Sequence, residues 1–393
     1  MNDDIVIAAA RRTPIGSFQG VLAPLKAPEL AAVAVRAALS DAGVQGKDLS
    51  EVILGCVLPA GVGQAPARQA ALAAGIPQGV GCTTINKVCG SGMKAVMLAH
   101  DLIRAGSADI VLAGGMESMS NAPYLLPKAR SGYRMGHQEV LDHMFYDGLQ
   151  NPYDGKMMGH FAELTADEYG FTRAAQDAFA TESTKRALAA AESGAFAAEI
   201  VEVTVKTRKG EERITRDEEP LHIDIAKIPS LPPAFRRDGG TVTAASSSKI
   251  SDGAAALVIM RASEAQRRGV RPLAVIRGHS GFAQAPEWFT TAPIFAIRAV
   301  QERLRWTPAE VDLYEINEAF AVVTMAAMKD LGLDHAKVNV NGGACALGHP
   351  IGSSGARLIV TLAHALRARG KRTGIASLCI GGGEATAVAI EAL

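Results

Sequence analysis

With 393 residues, 48% of them hydrophobic, the chain has enough apolar material for a large core shared by two or more lobes. Forty basic residues balance forty acidic ones, so no net charge draws it to nucleic acid or to an anionic membrane. No stretch reaches the roughly 18 apolar residues of a membrane span, and Met1-Asn2-Asp3-Asp4-Ile5 has no basic leader pattern. Cys56, Cys82, Cys89, Cys345 and Cys379 are dispersed and lack zinc spacing. Free thiols in a reducing cytoplasm are expected, with no structural metal.

Residues 5–10 form an apolar run ending at Arg11-Arg12-Thr13-Pro14 and read as a buried strand stopped by proline. Residues 28–42 read as a helix with Pro28 in its first turn and Gly43 closing it, and 52–57 as a second buried strand. The β-branched run Thr83-Thr84-Ile85 leads into Asn86-Lys87-Val88-Cys89-Gly90-Ser91-Gly92-Met93-Lys94. From Met93 to Ala105 the residues Lys94, Asp101 and Arg104 recur at helical spacing. This pattern predicts a strand, a tight turn and a buried helix, with Cys89 on the turn. Unpaired first-turn N–H groups carry partial positive charge, so a thiol held there is expected to have a lowered pKa. Gly90 and Gly92 let the backbone turn sharply and admit a ligand. A lone cysteine before a helix is more often a small buried hydrophobe than a nucleophile, so the reading depends on what else the chain supplies. Residues 109–113 predict a further strand running into Gly114-Gly115-Met116-Glu117-Ser118. Strands alternating with helices imply an α/β protein with a parallel sheet covered on both faces.

Between residues 121 and 246 the character changes to long, shaped loops, with one clear helix at 173–193. Such loops are usually functional or make subunit contacts, and this segment reads as an insertion covering a substrate site. His137, His143 and His160 lie in it and read as solvated loop residues, His160 being the one that could reach a pocket.

The last third repeats the first. Ser91-Gly92 corresponds to Ser354-Gly355, the helix at 28–39 to one at 293–304, and the strand at Val52 to one at 313–316. These correspondences share an offset of about 262 to 265 residues, so two βαβ units should pack side by side, each with a turn leading into a helix. The first turn carries Cys89 and the second His349-Pro350-Ile351-Gly352. Leu378-Cys379-Ile380 ends an apolar strand before Gly381-Gly382-Gly383, and Glu315-Ile316-Asn317 places an amide at another strand end. Singly, His349 could be structural, Cys379 a core filler and Asn317 a helix cap. Together with Cys89 they supply a nucleophile, two bases and an oxyanion donor, the inventory of acyl-thioester chemistry.

Along essentially its whole length the sequence resembles the thiolases. The resemblance is carried by residues 86–93, 114–123, 240–256, 317–321, 339–357 and 379–383. It implies a duplicated βαβ fold layered α-β-α-β-α. The N-terminal half would be 1–120 with 247–270, the loop domain 121–246 and the C-terminal half 271–393. Asn86-Lys87-Val88-Cys89, Gly92-Met93-Lys94-Ala95 and Thr243-Ala244-Ala245 lean towards members that make acetoacetyl-CoA, a broader 3-ketoacyl-CoA thiolase being the alternative. The implied reaction is reversible condensation of two acetyl-CoA molecules through an acyl-Cys89 intermediate, with no tightly bound cofactor.

Carried over from the family, Cys89 takes the acyl group, His349 activates it and its imidazolium would stabilise the thiolate, and Cys379 moves the α-proton. Asn317 places a water that shares the enolate oxygen with His349, and the N–H groups of Cys89 and Gly381 hold the acyl oxyanion. Leu149, Met158, Phe235, Ala244, Ser248, Ala319 and Phe320 line the coenzyme A channel. The sequence departs from the family at Ser246-Ser247-Ser248, where Asn-Ala-Ser is usual, and at Lys249, where glycine is common. Some members bind potassium through a tyrosine whose position here is Thr184, so no potassium site is expected. A homotetramer built as a dimer of dimers is implied, linked through the loops at 124–143.

Overall fold

The computed structural model describes residues 3–208 and 210–393. Its core is a ten-stranded mixed sheet. The first half supplies β1 (Ile5–Arg12), β2 (Glu51–Gly55), β3 (Gly81–Ile85), β4 (Ile110–Ser118) and β5 (Ser251–Arg261). The second supplies β6 (Ala274–Ala283), β7 (Leu313–Ile316), β8 (Thr373–Ile380) and β9 (Glu384–Ala392). Their spatial order is β7-β8-β9-β6-β1-β5-β4-β2-β3, and the short strand Gly16–Ser17 pairs off β5.

The duplication is visible in this order. In the first half β2 is parallel to β4, β4 antiparallel to β5, and β5 antiparallel to β1. In the second half β7, β8, β9 and β6 repeat those relations. The counterpart of β3 has shrunk to a parallel bridge between Tyr314 and Val338. The halves join where Val6 and Ile7 of β1 pair with Val275 and Ala274 of β6. A parallel sheet was expected; among the described residues the β3-β2-β4 and β7-β8 neighbours are parallel, and the other neighbours are antiparallel. The link between β8 and β9 is too short for a crossover, so that pair must run antiparallel.

The helices that matter here are α1 (Ala27–Asp41), α2 (Ser91–Ala105), α3 (Met158–Tyr169), α4 (Arg173–Glu192), α5 (Ala292–Leu304), α6 (Ala321–Leu331) and α7 (Ile351–Ala368). Apolar residues of α2 and α7 share one core with inward faces of both half-sheets, from Ile53 and Val111 on one side to Leu378 and Ile390 on the other. On the outside α1 packs over the first half-sheet, and α5 and α6 over the second. The result is the α-β-α-β-α layering. The stretch of α7 from Ile351 to Ala363 is buried throughout, its polar residues Ser354, Arg357 and Thr361 included.

Two glycines equivalent under the duplication set how closely the central helices approach. A Cβ on Gly92 would sit 2.8 Å from the Ala356 backbone nitrogen, and one on Gly355 would sit 2.5 Å from that of Met93. Any larger residue at either position drives the helices apart, a distortion of the kind that costs about 1–3 kcal/mol. Gly115 and Gly352 repeat the arrangement at the helix end, where a Cβ on Gly115 would lie 2.0 Å from the Gly352 carbonyl oxygen. Backbone contact at these positions brings the ends of the two central helices to one place. Among the described residues no helix is long and apolar enough to cross a membrane.

Candidate active site

Cys89 stands on the turn between β3 and α2. The preceding residue, Val88, has φ +45°, a left-handed conformation that a β-branched side chain resists. Strain of this kind costs on the order of 1–3 kcal/mol and persists only where the surroundings over-determine it. Here they do: the Val88 N–H donates to Asn86 Oδ1 at 2.8 Å, and the Ser91 hydroxyl donates to the Val88 carbonyl at 2.7 Å. Ser91 Oγ also accepts the Lys87 N–H at 2.8 Å. Gly90 lies flat against the strand that carries the second cysteine, since a Cβ there would fall 2.3 Å from Ile380 Cδ1. The sequence-distant cysteine segments therefore touch at Gly90, where a larger residue would have to displace the Ile380 side chain.

The environment of Cys89 reverses one expectation. The helix N-terminus was expected to lower its pKa. Instead burial raises the thiol to about 11, although the N–H groups of Gly381 and of Cys89 itself both favour the thiolate. Desolvation in an apolar setting outweighs the local dipoles. Cys379 is fully buried at the end of β8, and its thiol is pushed well up by burial and by the neighbouring Cys89. Both sulfurs therefore rest as neutral thiols.

His349 is buried at the entry to α7. Its Nδ1 lies 2.6 Å from Ser354 Oγ, whose own hydroxyl donates to the Pro350 carbonyl at 2.9 Å. Nε2 lies 3.4 Å from the Asn317 side-chain nitrogen. Burial, then the nearby Arg357 guanidinium, lowers the imidazole pKa to about 3, so the ring is neutral. An imidazolium waiting beside a preformed thiolate was the other expectation, and burial removes it for the same reason. On the far side of the amide, Arg357 Nη2 approaches Asn317 Oδ1 at 3.5 Å, and the Asn317 backbone N–H continues the β7–β8 pairing to Ser377 at 3.0 Å.

Aligning the repeats on Ser91-Gly92 and Ser354-Gly355 sets Asn86 opposite His349 and Cys89 opposite Gly352. One half keeps the sulfur and the other the imidazole. Glu117 ties them together: its carboxylate accepts the N–H groups of Val57 (3.0 Å), Leu58 (3.1 Å) and Gly352 (2.9 Å). Burial lifts its pKa to about 7 despite those three donors.

A cleft with about 640 Å³ of empty space opens beside these groups. Leu149, Met158, Phe235, Ser248, Phe320 and His349 line it, together with Met119, Phe145, Lys249, Ile250 and Ile351. Cys89 packs against the apolar cluster that contains Met119 and Ile351, which puts it at the inner wall. Gly381 and Met158 line an adjoining cleft that also receives Val88. Ala319 and Ala244 are not in the lining. The Ala319 carbonyl accepts the Ser248 N–H at 2.9 Å, and Ala244 is exposed, its carbonyl held by Lys249 Nζ.

His143 is buried rather than solvated, with Nδ1 2.5 Å from Asp147 Oδ2. His160 stands edge-on to Phe161 and does not line the cleft. The Thr184 hydroxyl donates to the Ala180 carbonyl inside α4 at 2.9 Å. A His100–Asp101–His279 group could ligate a metal, but it lies between α2 and β6, outside the cleft lining. Ser354, Glu117 and Arg357 were not foreseen as site residues. A lone acidic residue closing the apolar run of β4 was the available signal for Glu117, and the repeat alignment was the signal for Ser354.

Residues 5–263 match the family profile described as "Thiolase, N-terminal domain", and residues 270–392 the one described as "Thiolase, C-terminal domain". The chain is 50% identical over 390 residues to acetyl-CoA acetyltransferase 1 of Arabidopsis thaliana, covering 99% of this chain and 94% of that protein. It is also 50% identical over 390 residues to the acetyl-CoA acetyltransferase of Cupriavidus necator, with 99% of each covered. Among solved structures, the Bacillus anthracis acetyl-CoA acetyltransferase superimposes with a TM-score of 0.97 at 44% identity, covering 100% of this chain and 99% of that one. A thiolase from Ascaris suum in complex with coenzyme A gives 0.94 at 41% identity, covering 99% and 100%.

Proposed function

The chain belongs to the thiolase family, and from that premise we propose how its site works as an acetyl-CoA C-acetyltransferase, EC 2.3.1.9. It interconverts two acetyl-CoA molecules with acetoacetyl-CoA and coenzyme A. What supports the mechanism is that the backbone N–H groups of Gly381 and of Cys89 itself both favour the Cys89 thiolate, with the Cys379 thiol as its neighbour.

In thiolysis, Cys89 Sγ attacks the 3-keto carbon of acetoacetyl-CoA while Nε2 of His349 takes the thiol proton. The tetrahedral oxyanion forms where the two N–H groups point, and losing one such donor typically costs about a hundred- to a thousandfold in rate. Cleavage of the C2–C3 bond releases acetyl-CoA as its enolate. Asn317, through a water, and His349 hold the enolate oxygen, and Cys379 gives its proton to the carbon. Acetyl-Cys89, imidazolium and the Cys379 thiolate remain. Coenzyme A then loses its thiol proton to Cys379 and attacks the acetyl group, and Cys89 leaves with the proton held by His349. Condensation is the reverse. A resting Cys379 thiol suits the step in which it acts as acid.

Leu149, Met158, Phe235, Ser248 and Phe320 bind the pantetheine arm, and Ala319 supports Ser248 through its carbonyl. Phe161, Phe289 and Phe320 fill the cluster around Cys379, which supports a two-carbon acyl group over a long one. Exposed Tyr124, Leu126, Met135 and Val140 support a homotetramer joined through that loop. Five free cysteines support a reducing, cytoplasmic setting, and the acyl-CoA chemistry supports a place in fatty-acid metabolism. The direct test is a burst assay with labelled acetyl-CoA. Label should appear on the wild-type protein and be absent from Cys89→Ser; label retained by that variant sinks the mechanism.

A further inference from the structure

Lys249 is half-buried in the cleft wall, and its ammonium turns back into its own chain. It donates to the carbonyl oxygens of Ala244 and, at 3.1 Å, of Ser247. Among the described residues no carboxylate lies within ion-pairing distance of it. This is a cation held by backbone carbonyls. Converging carbonyl dipoles repel one another unless a positive charge sits between them, and an ammonium or an alkali ion of similar size serves equally.

The turn that supplies those oxygens forms the cleft wall. The Ser247 hydroxyl donates to the Thr243 carbonyl at 2.7 Å, and Ser246 Oγ accepts the Thr243 N–H at 2.9 Å. From this turn the Ser248 N–H reaches Ala319 at 2.9 Å, and the Ser246 carbonyl receives the Ala321 N–H at 2.8 Å. Ser247 and Ser248 line the cleft, as does Lys249 itself. The Lys249 carbonyl in turn accepts the backbone N–H of His349 at 3.0 Å. One residue thus fastens the wall with its side chain and the base-bearing loop with its main chain.

We propose that the Lys249 ammonium acts as a tethered monovalent cation, taking between the Ala244 and Ser247 carbonyls the place a dissolved potassium or ammonium ion could fill. It is a positioning residue, and its link to coenzyme A affinity rests on the cleft being the pantetheine site. A tethered cation is present at effectively saturating local concentration, so the wall does not depend on salt composition.

The test uses Lys249→Ala, which vacates the cradle, and Lys249→Met, which keeps the bulk without the charge. Thiolysis kinetics and melting temperature are measured at constant ionic strength in potassium, ammonium, sodium or N-methylglucamine chloride. Wild type should be indifferent to the cation. Lys249→Ala should show a KM for acetoacetyl-CoA raised roughly tenfold in N-methylglucamine, with potassium or ammonium restoring both KM and melting temperature. Lys249→Met should stay impaired in every salt. Potassium activation of the wild type, or a Lys249→Ala defect identical in all four salts, overturns the proposal. If the wild type has no thiolase activity the functional reading fails, while the melting temperatures still decide the cation question.

Discussion

His349 Nδ1 lies 2.6 Å from Ser354 Oγ, and this contact decides which imidazole nitrogen is basic. The Ser354 hydroxyl donates to the Pro350 carbonyl at 2.9 Å, an arrangement in which Nδ1 is the protonated nitrogen and Nε2 presents its lone pair on the side of Asn317. Ser354→Ala frees the ring to adopt the other tautomer. Thiolysis kcat should fall by roughly ten- to a hundredfold with a smaller change in KM. An unchanged kcat, measured with a folded, fully soluble variant, would show that Ser354 does not set the tautomer.

The thiol of Cys89 gives a second prediction. With a pKa of about 11, only a trace of thiolate exists at neutral pH in the substrate-free protein. Alkylation by iodoacetamide should therefore accelerate about tenfold per pH unit from pH 7 to 10, without levelling. A plateau below pH 9 would mean that a thiolate–imidazolium pair is already formed at rest.

Cys379 should separate the two half-reactions. Cys379→Ala retains Cys89, His349 and both N–H donors, and a departing coenzyme A thiolate is weakly basic enough to leave without the Cys379 proton, so acetyl label should still transfer from acetyl-CoA to protein. Condensation and thiolysis should fall by roughly a hundred- to ten-thousandfold, because no group is left to move the α-proton. Loss of labelling in step with condensation would instead make the Cys379 proton as necessary to the departure of coenzyme A as to the carbon–carbon step.

Patterns local in sequence were readable before any coordinates. α2 and α5 fall within two residues of their predicted bounds, and β7 matches its own. The Ser91-Gly92 and Ser354-Gly355 repeat disclosed the pairing of the central helices, because a backbone approach that admits only glycine must recur in both copies. What escaped notice depends on long-range contact. β4 continues through Gly114 and Gly115, which look like breakers alone but are needed where Ala255 and Gly352 come within 2.0 Å of their absent side chains. α3 was read as loop because Gly159 and the polar residues around it blur the helical period, although Gly170, with φ +66°, marks its end. The Cys89 pKa was misjudged because a helix terminus is visible in sequence whereas the depth of burial is not.

Glu117 links the architecture to pH. Its folded-state pKa, about 7, lies above the ordinary 4.5, with burial as the cause. Below pH 4.5 folded and unfolded chains both hold the proton, and its stabilising contribution is fully present. As pH rises towards 7 the unfolded chain ionises first, so this contribution declines and is lost once the folded group ionises. The two pKa values correspond to a loss of roughly 3 kcal/mol across that window. Glu117→Gln cannot ionise and also gives up part of its acceptance from Val57, Leu58 and Gly352, a penalty that does not vary with pH. Urea unfolding between pH 4.5 and 8 should therefore show the variant gaining on the wild type as pH rises. A stability gap that stays constant over that range would mean the Glu117 carboxylate is ionised in the fold at every pH tested, its charge carried by the three N–H groups alone.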